Sequence, residues 1–175
     1  MRGDALREAY SLGSRWRITV VGDPPVTGVV SGPDTGAAIP NGIAVAGDGR
    51  AFYFADSGRW RVAIVSRNGG GDDEIRYVDV GGAPDNLTIS ASGKILATVV
   101  TSSGDVPLSF ICGFRGRTCR TGWTVWEIDP DTRRAAEILA GNGERIASVP
   151  VALEVGDFLL LGSIGDDRVG VFRRR

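Results

Sequence analysis

Two segments of the chain each set an oxygen-bearing side chain directly ahead of an apolar strand. In the first, Pro40-Asn41-Gly42-Ile43-Ala44-Val45 leads through a turn at Gly47-Asp48-Gly49 into Ala51-Phe52-Tyr53-Phe54-Ala55-Asp56-Ser57. In the second, Pro84-Asp85-Asn86-Leu87-Thr88-Ile89 leads through Ser92-Gly93 into Ile95-Leu96-Ala97-Thr98-Val99. Equivalent positions of a structural repeat point the same way in space, so Asn41 and Asp85 are expected to converge. A carboxylate and a carboxamide meeting where strands begin are hard oxygen donors, suited to a cation such as Ca2+ or another divalent metal. The same residues have a plainer reading. Asn, Asp and Gly favour turns through their own backbone hydrogen bonding, so both segments are also simply turns that enter strands.

The chain contains no histidine. That removes Ser-His-Asp and Cys-His catalysis, histidine zinc sites and a histidine general base from anything these residues do alone. Cys112 and Cys119 flank a loop with two glycines. The loop is short enough for a disulfide, and two free thiols are the alternative. With a formal charge of -1 and 42% hydrophobic residues, the composition fits a globular protein and offers no basic stripe for nucleic acid. Arg173-Arg174-Arg175 reads as a solvated tail. No run is long and apolar enough to be a membrane helix, and Met1–Trp16 lacks the apolar segment of a signal peptide, so the default expectation is cytoplasmic.

These residues need elements to position them. Glycine, at 26 of 175 residues, is about twice its usual share, which suits many tight turns between short strands. Residues 1–37 read as an N-terminal segment, with a short helix over Met1–Tyr10 and strands at Trp16–Val21 and Val26–Ser31 that belong to a preceding or closing unit. Residues 38–175 read as repeated antiparallel units. The first has strands at Ile43–Ala46, Ala51–Ala55, Arg61–Ser66 and Ile75–Val80. The second has Leu87–Ser90, Ile95–Val100, Thr124–Ile128 and Ala135–Leu139, with the long loop Thr101–Trp123 inside it. The third has Val151–Val155, Phe158–Ser163 and Arg168–Arg173. Four antiparallel strands in roughly 40 residues is the size of one propeller blade. Aligning the third unit sets Val149 against Asn41 and Asp85, with only the Ser148 hydroxyl beside it. Asp56 and Asn142 read as turn residues. Trp60, Trp123 and Trp126 read as packing residues, and Phe110 and Phe114 either line a pocket mouth or pack the long loop.

Pro40-Asn41-Gly42-Ile43, Phe52-Tyr53-Phe54-Ala55-Asp56-Ser57 and Arg61-Val62 together resemble the senescence-marker-protein, gluconolactonase and paraoxonase superfamily. Pro84-Asp85-Asn86-Leu87-Thr88-Ile89 resembles that superfamily's next motif. Gly141-Asn142-Gly143 through Val151-Ala152-Leu153-Glu154-Val155-Gly156-Asp157-Phe158-Leu159-Leu160-Leu161-Gly162 is similar to the ending of its arylesterase-like members. The resemblance covers about residues 38–173. It implies an all-β fold of about three four-stranded antiparallel blades, corresponding to the second half of a six-bladed β-propeller. It further implies a calcium ion in a central channel and hydrolysis of lactones, aryl esters or related organophosphates.

On this resemblance Asn41 and Asp85 fall on calcium ligands, and Asn86 on a further ligand of the paraoxonase branch. Asp85 also falls on the proposed general base of the gluconolactonase branch. The acidic ligand of the first blade and the ligand of the blade before Asn41 have no counterpart here. The expected function is therefore a calcium-dependent lactone or aryl ester hydrolase on a partial propeller, completed by a second copy or by a missing N-terminal half. The alternatives are a non-catalytic metal-binding scaffold or an inactive fragment of such an enzyme.

Overall fold

A computed structural model describes residues 37–66, 74–101 and 120–174. The expectations for Met1–Tyr10, Trp16–Val21, Val26–Ser31, Phe110, Phe114, Cys112 and Cys119 lie outside the described residues.

Among the described residues eleven strands run in chain order: β1 (Pro40–Val45), β2 (Ala51–Asp56), β3 (Arg61–Ser66), β4 (Glu74–Asp79), β5 (Ala83–Ile89), β6 (Ile95–Val100), β7 (Trp123–Ile128), β8 (Ala135–Gly141), β9 (Val151–Val155), β10 (Phe158–Gly162) and β11 (Gly170–Arg173). Within each sheet, strands adjacent in sequence pair antiparallel. The products are two four-stranded sheets, β1-β2-β3-β4 and β5-β6-β7-β8, and a three-stranded sheet, β9-β10-β11. Among the described residues no helix is long and apolar enough to cross a membrane.

The sheets stack face to face because their strands carry apolar side chains on both faces. In the first sheet Tyr53 pairs with Ile64 and Ala55 with Val62, while Phe54 pairs with Ala63 between them. Period-two alternation therefore sends Tyr53, Ala55, Val62 and Ile64 to one side and Phe54 and Ala63 to the other. The first set forms a core with Leu87, Ile95, Ala97, Val99 and Ile128 of the second sheet. The second set packs with Ala37 and Val65 on the far face. Between the second and third sheets, Trp123, Val125, Val149, Ala152 and Leu161 form another core. There Trp123 meets Phe172 edge to face, at 5.9 Å between ring centroids. Trp123 and Trp126 are packing residues, as the sequence suggests, whereas Trp60 is 43% exposed.

Two expectations need correction. Asn41 and Asp85 do not stand ahead of their strands but lie within β1 and β5, which begin at Pro40 and Ala83. Nor is the C-terminal arginine run simply solvated. Arg174 is ion-paired with both Glu127 of the second sheet and Glu154 of the third. Two half-buried carboxylates at that position outweigh the usual preference of arginine for water.

Candidate functional site

The site is built from the first residues of the innermost strands, β1, β5 and β9. In β1, Pro40 pairs with Asp56 and Ile43 with Phe54, so Asn41-Gly42 stands opposite the single residue Ala55. In β5, Pro84 pairs with Val99 and Leu87 with Ala97, so Asp85-Asn86 stands opposite the single residue Thr98. The two strands thus carry the same β-bulge at the same repeat position. A bulge breaks the ladder locally and re-aims a side chain, and both Asn41 and Asp85 are first residues of theirs.

Close backbone contact brings the two bulges together. A Cβ placed on Gly42 would lie 2.4 Å from the Asn86 Cα and 2.6 Å from the Asp85 carbonyl oxygen. Any side chain there would force β1 away from β5, so glycine is required by the approach of the two strands. On the other side of β5, the Asn86 N–H donates to the Pro150 carbonyl at 3.0 Å, and the Thr88 hydroxyl donates to the Ala152 carbonyl at 2.7 Å. The three inner strands therefore lie side by side, with Asn41, Asp85 and Asn86 at their shared end.

Within this cluster the Asn41 side chain hydrogen-bonds with the Asp85 carboxylate. Burial pushes the Asp85 carboxyl above its ordinary range, and the Asn41 contact only partly offsets this. Among the described residues no cationic side chain contributes to the balance. A half-buried carboxylate beside an amide, with no described cation to neutralise it, favours taking up either a proton or a metal ion.

The third sheet adds no oxygen-bearing side chain at the matching position. Val149 is fully buried in the core, and the Ser148 hydroxyl is hydrogen-bonded to that of Thr121 at 2.9 Å. Asn142 is a turn residue as expected, its side chain accepting from the Glu144 N–H at 3.1 Å.

The donor chemistry suits a hard cation: one carboxylate and two carboxamides, all oxygen. The number does not complete a shell. Calcium takes about six to eight oxygens, and no three acidic, histidine or cysteine side chains cluster among the described residues.

Asp56 was legible only as a turn residue, and the structure gives it a larger part. It is fully buried, accepting from the Ala38 N–H at 2.7 Å and from the Arg61 Nε at 2.9 Å. The Arg61 guanidinium stacks over the Tyr77 ring at 3.6 Å. This knot fixes the end of β2 that faces the Asn41 bulge, because Asp56 pairs with Pro40. The apolar strand around Asp56 was the available signal, since a carboxylate at the end of a buried strand requires a partner.

No family model matches the chain. No curated protein matches it either. Two solved structures share the fold. One is a crystal structure of a putative 6-phosphogluconolactonase from Bacteroides fragilis, with 13% identity, a TM-score of 0.54 and coverage of 89% of this chain and 39% of that one. The other is the periplasmic gluconolactonase of Pseudomonas aeruginosa, with 18% identity, a TM-score of 0.50 and the same two coverages. The fold is thus of the gluconolactonase type, all-β and built of antiparallel sheets. The chain spans 39% of the length of these structures.

Proposed function

We propose that this chain carries part of a divalent-cation-dependent hydrolase of lactones or aryl esters. The observation that carries the proposal is the Asp85 carboxylate, half-buried against Asn41 at the shared end of three inner strands, with no cation beside it among the described residues. Asn41, Asp85 and Asn86 would hold the ion, Ca2+ by preference, with water or another polypeptide supplying the remaining ligands. When bound, such an ion polarises an ester carbonyl and stabilises the charge that develops on its oxygen. Asp85 would accept a proton from the attacking water through an oxygen that the ion leaves free. Asn41 orients that carboxylate. No histidine of this chain takes part. The likeness to lactonase folds supports this reading at the level of the scaffold.

The same proposal places the three sheets as part of a closed propeller, six-bladed on the resemblance, although a 39% share leaves room for a larger ring. The apolar outer flanks then meet complementary sheets, from a second copy or from an N-terminal half. The test is hydrolysis of a panel of lactones and aryl esters with Ca2+ and after chelation. Activity is expected to require the metal and to fall by at least about a hundredfold in Asp85→Ala with the circular dichroism unchanged. A rate indifferent to that substitution overturns the proposal. One observation favours a second reading. The incomplete donor set among the described residues suits a metal-binding scaffold without turnover, for which Ca2+ binds and no substrate of the panel is consumed.

A further inference from the structure

We propose that Ser57 and Thr98 are positioning residues for the Asp85-Asn86 bulge, each acting through a proline carbonyl across a sheet boundary. The inference rests on the reading of Asp85 and Asn86 as metal ligands and adds what holds them.

Bulged residues lack ladder hydrogen bonds of their own, so the direction of Asp85 has to be fixed by neighbours. Upstream, the Ser57 hydroxyl follows β2 in the first sheet and donates to the carbonyl of Pro84, the residue immediately before Asp85. Downstream, the Thr98 hydroxyl stands opposite the bulge and donates to the carbonyl of Pro150, at the entry to the third sheet. That same carbonyl accepts the Asn86 N–H at 3.0 Å, and the Asn86 carbonyl lies 3.3 Å from the Thr98 hydroxyl.

Both hydroxyls are buried, Ser57 at 8% and Thr98 at 0% exposure. Each has one proton to give, and both give it to a proline carbonyl beside the bulge. The result is a chain of contacts from the first sheet through the bulge to the third: Ser57 to Pro84, then Asp85-Asn86, then Pro150 shared with Thr98. The bulge of β1 has no such device. Opposite it stands Ala55, without a hydroxyl, and Asn41-Gly42 is held instead by the close contact of Gly42 with the Asn86 backbone. The position of Asn41 therefore depends on that of Asn86, and both depend on Thr98.

The experiment compares the full chain with Thr98→Val, Thr98→Ser and Ser57→Ala, using calorimetric titration with Ca2+ and amide hydrogen exchange at Asn86. Thr98→Val keeps the shape and removes the hydroxyl. It is expected to weaken Ca2+ by roughly 10–100-fold, as partners that orient metal ligands generally do, and to speed exchange of the Asn86 amide. Ser57→Ala is expected to weaken Ca2+ in the same direction. Thr98→Ser restores both readouts to those of the parent.

Parent-like Ca2+ affinity and Asn86 protection in Thr98→Val overturn the inference while leaving the metal reading intact. If the parent itself binds no Ca2+, the metal reading fails, and the inference is judged on Asn86 exchange and the backbone shifts of Asp85 and Asn86. Values unchanged in Thr98→Val overturn it, and altered values rescued in Thr98→Ser support it. Should Thr98→Val not fold, Thr98→Cys, a weak donor of similar size, replaces it with the same outcomes.

Discussion

Two acidic side chains of this protein illustrate opposite ways to keep a carboxylate away from water. Asp56 is enclosed completely and has an arginine and a backbone N–H to meet its charge. Asp85 is only half enclosed and has an amide and, among the described residues, no cation. The first arrangement holds structure together, while the second leaves an unmet electrostatic demand. Its consequence for stability has a definite sign. Because burial raises the Asp85 carboxyl in the folded state, the native form binds its proton more tightly than the unfolded chain does. Metal-free stability therefore falls as pH rises through the window between the unfolded and folded values. Asp85→Asn removes that fall. In chelating buffer at neutral pH the variant is expected to melt above the parent, and added Ca2+ is expected to reverse the order by stabilising only the parent. Calorimetric melting of both proteins with and without Ca2+ checks this, and a variant that melts below the parent without metal contradicts it.

At the scale of elements, the paired bulges in β1 and β5 explain how two polar residues from different sheets reach one place. A second device joins the sheets at their opposite end. Arg174, after β11, pairs with Glu154 of β9 and Glu127 of β7, and Lys94 approaches Glu127 at 2.8 Å. Burial by itself raises the Glu127 carboxyl, but Lys94 and Arg174 outweigh it and hold the group below its ordinary range. A depressed native value means that the contribution is complete above the unfolded carboxylate range. It is lost as pH falls through the lowered native value. Arg174→Ala is expected to destabilise the protein by on the order of 1–3 kcal/mol near neutral pH and to flatten the acid limb of its stability curve. Urea denaturation followed by tryptophan fluorescence across the acid range reads both effects, since Trp123 lies between the two sheets that Arg174 ties. Equal acid limbs in parent and variant would remove Glu127 and Arg174 from the account.

For the whole molecule, the third sheet presents an apolar outer face. Leu153, Val155, Phe158 and Val171 are 47%, 50%, 44% and 62% exposed, and the register sets Leu153 opposite Leu160 and Phe158 opposite Val155. A face of this kind is covered by further sheets in a closed ring, and left open it favours association. If a second copy completes the ring around a shared cation, light scattering is expected to give a dimer in Ca2+ that dissociates on chelation. A monomer or an aggregate indifferent to Ca2+ would assign the covering sheets to a different polypeptide segment.

The sequence by itself determined the elements and their order. Strand alternation such as Phe52-Tyr53-Phe54-Ala55, punctuated by Gly47-Asp48-Gly49 and Ser92-Gly93, is a local signal and needs no knowledge of the fold. The repeat also aligns Asn41 with Asp85 from the sequence alone. Only the tertiary structure decided how those residues are held. A bulge is defined by the partner strand, so Asn41 and Asp85 read as residues ahead of strands until Ala55 and Thr98 were seen opposite them. Asp56 looked like a turn, and Arg174 like a tail, because their partners lie on other strands and no local pattern records them. Ser57 and Thr98 carried no signal at all, since a hydroxyl in a strand is ordinary until the carbonyl it meets is known. Short-range periodicity writes the strands into the sequence, whereas burial and charge compensation arise only when distant segments meet.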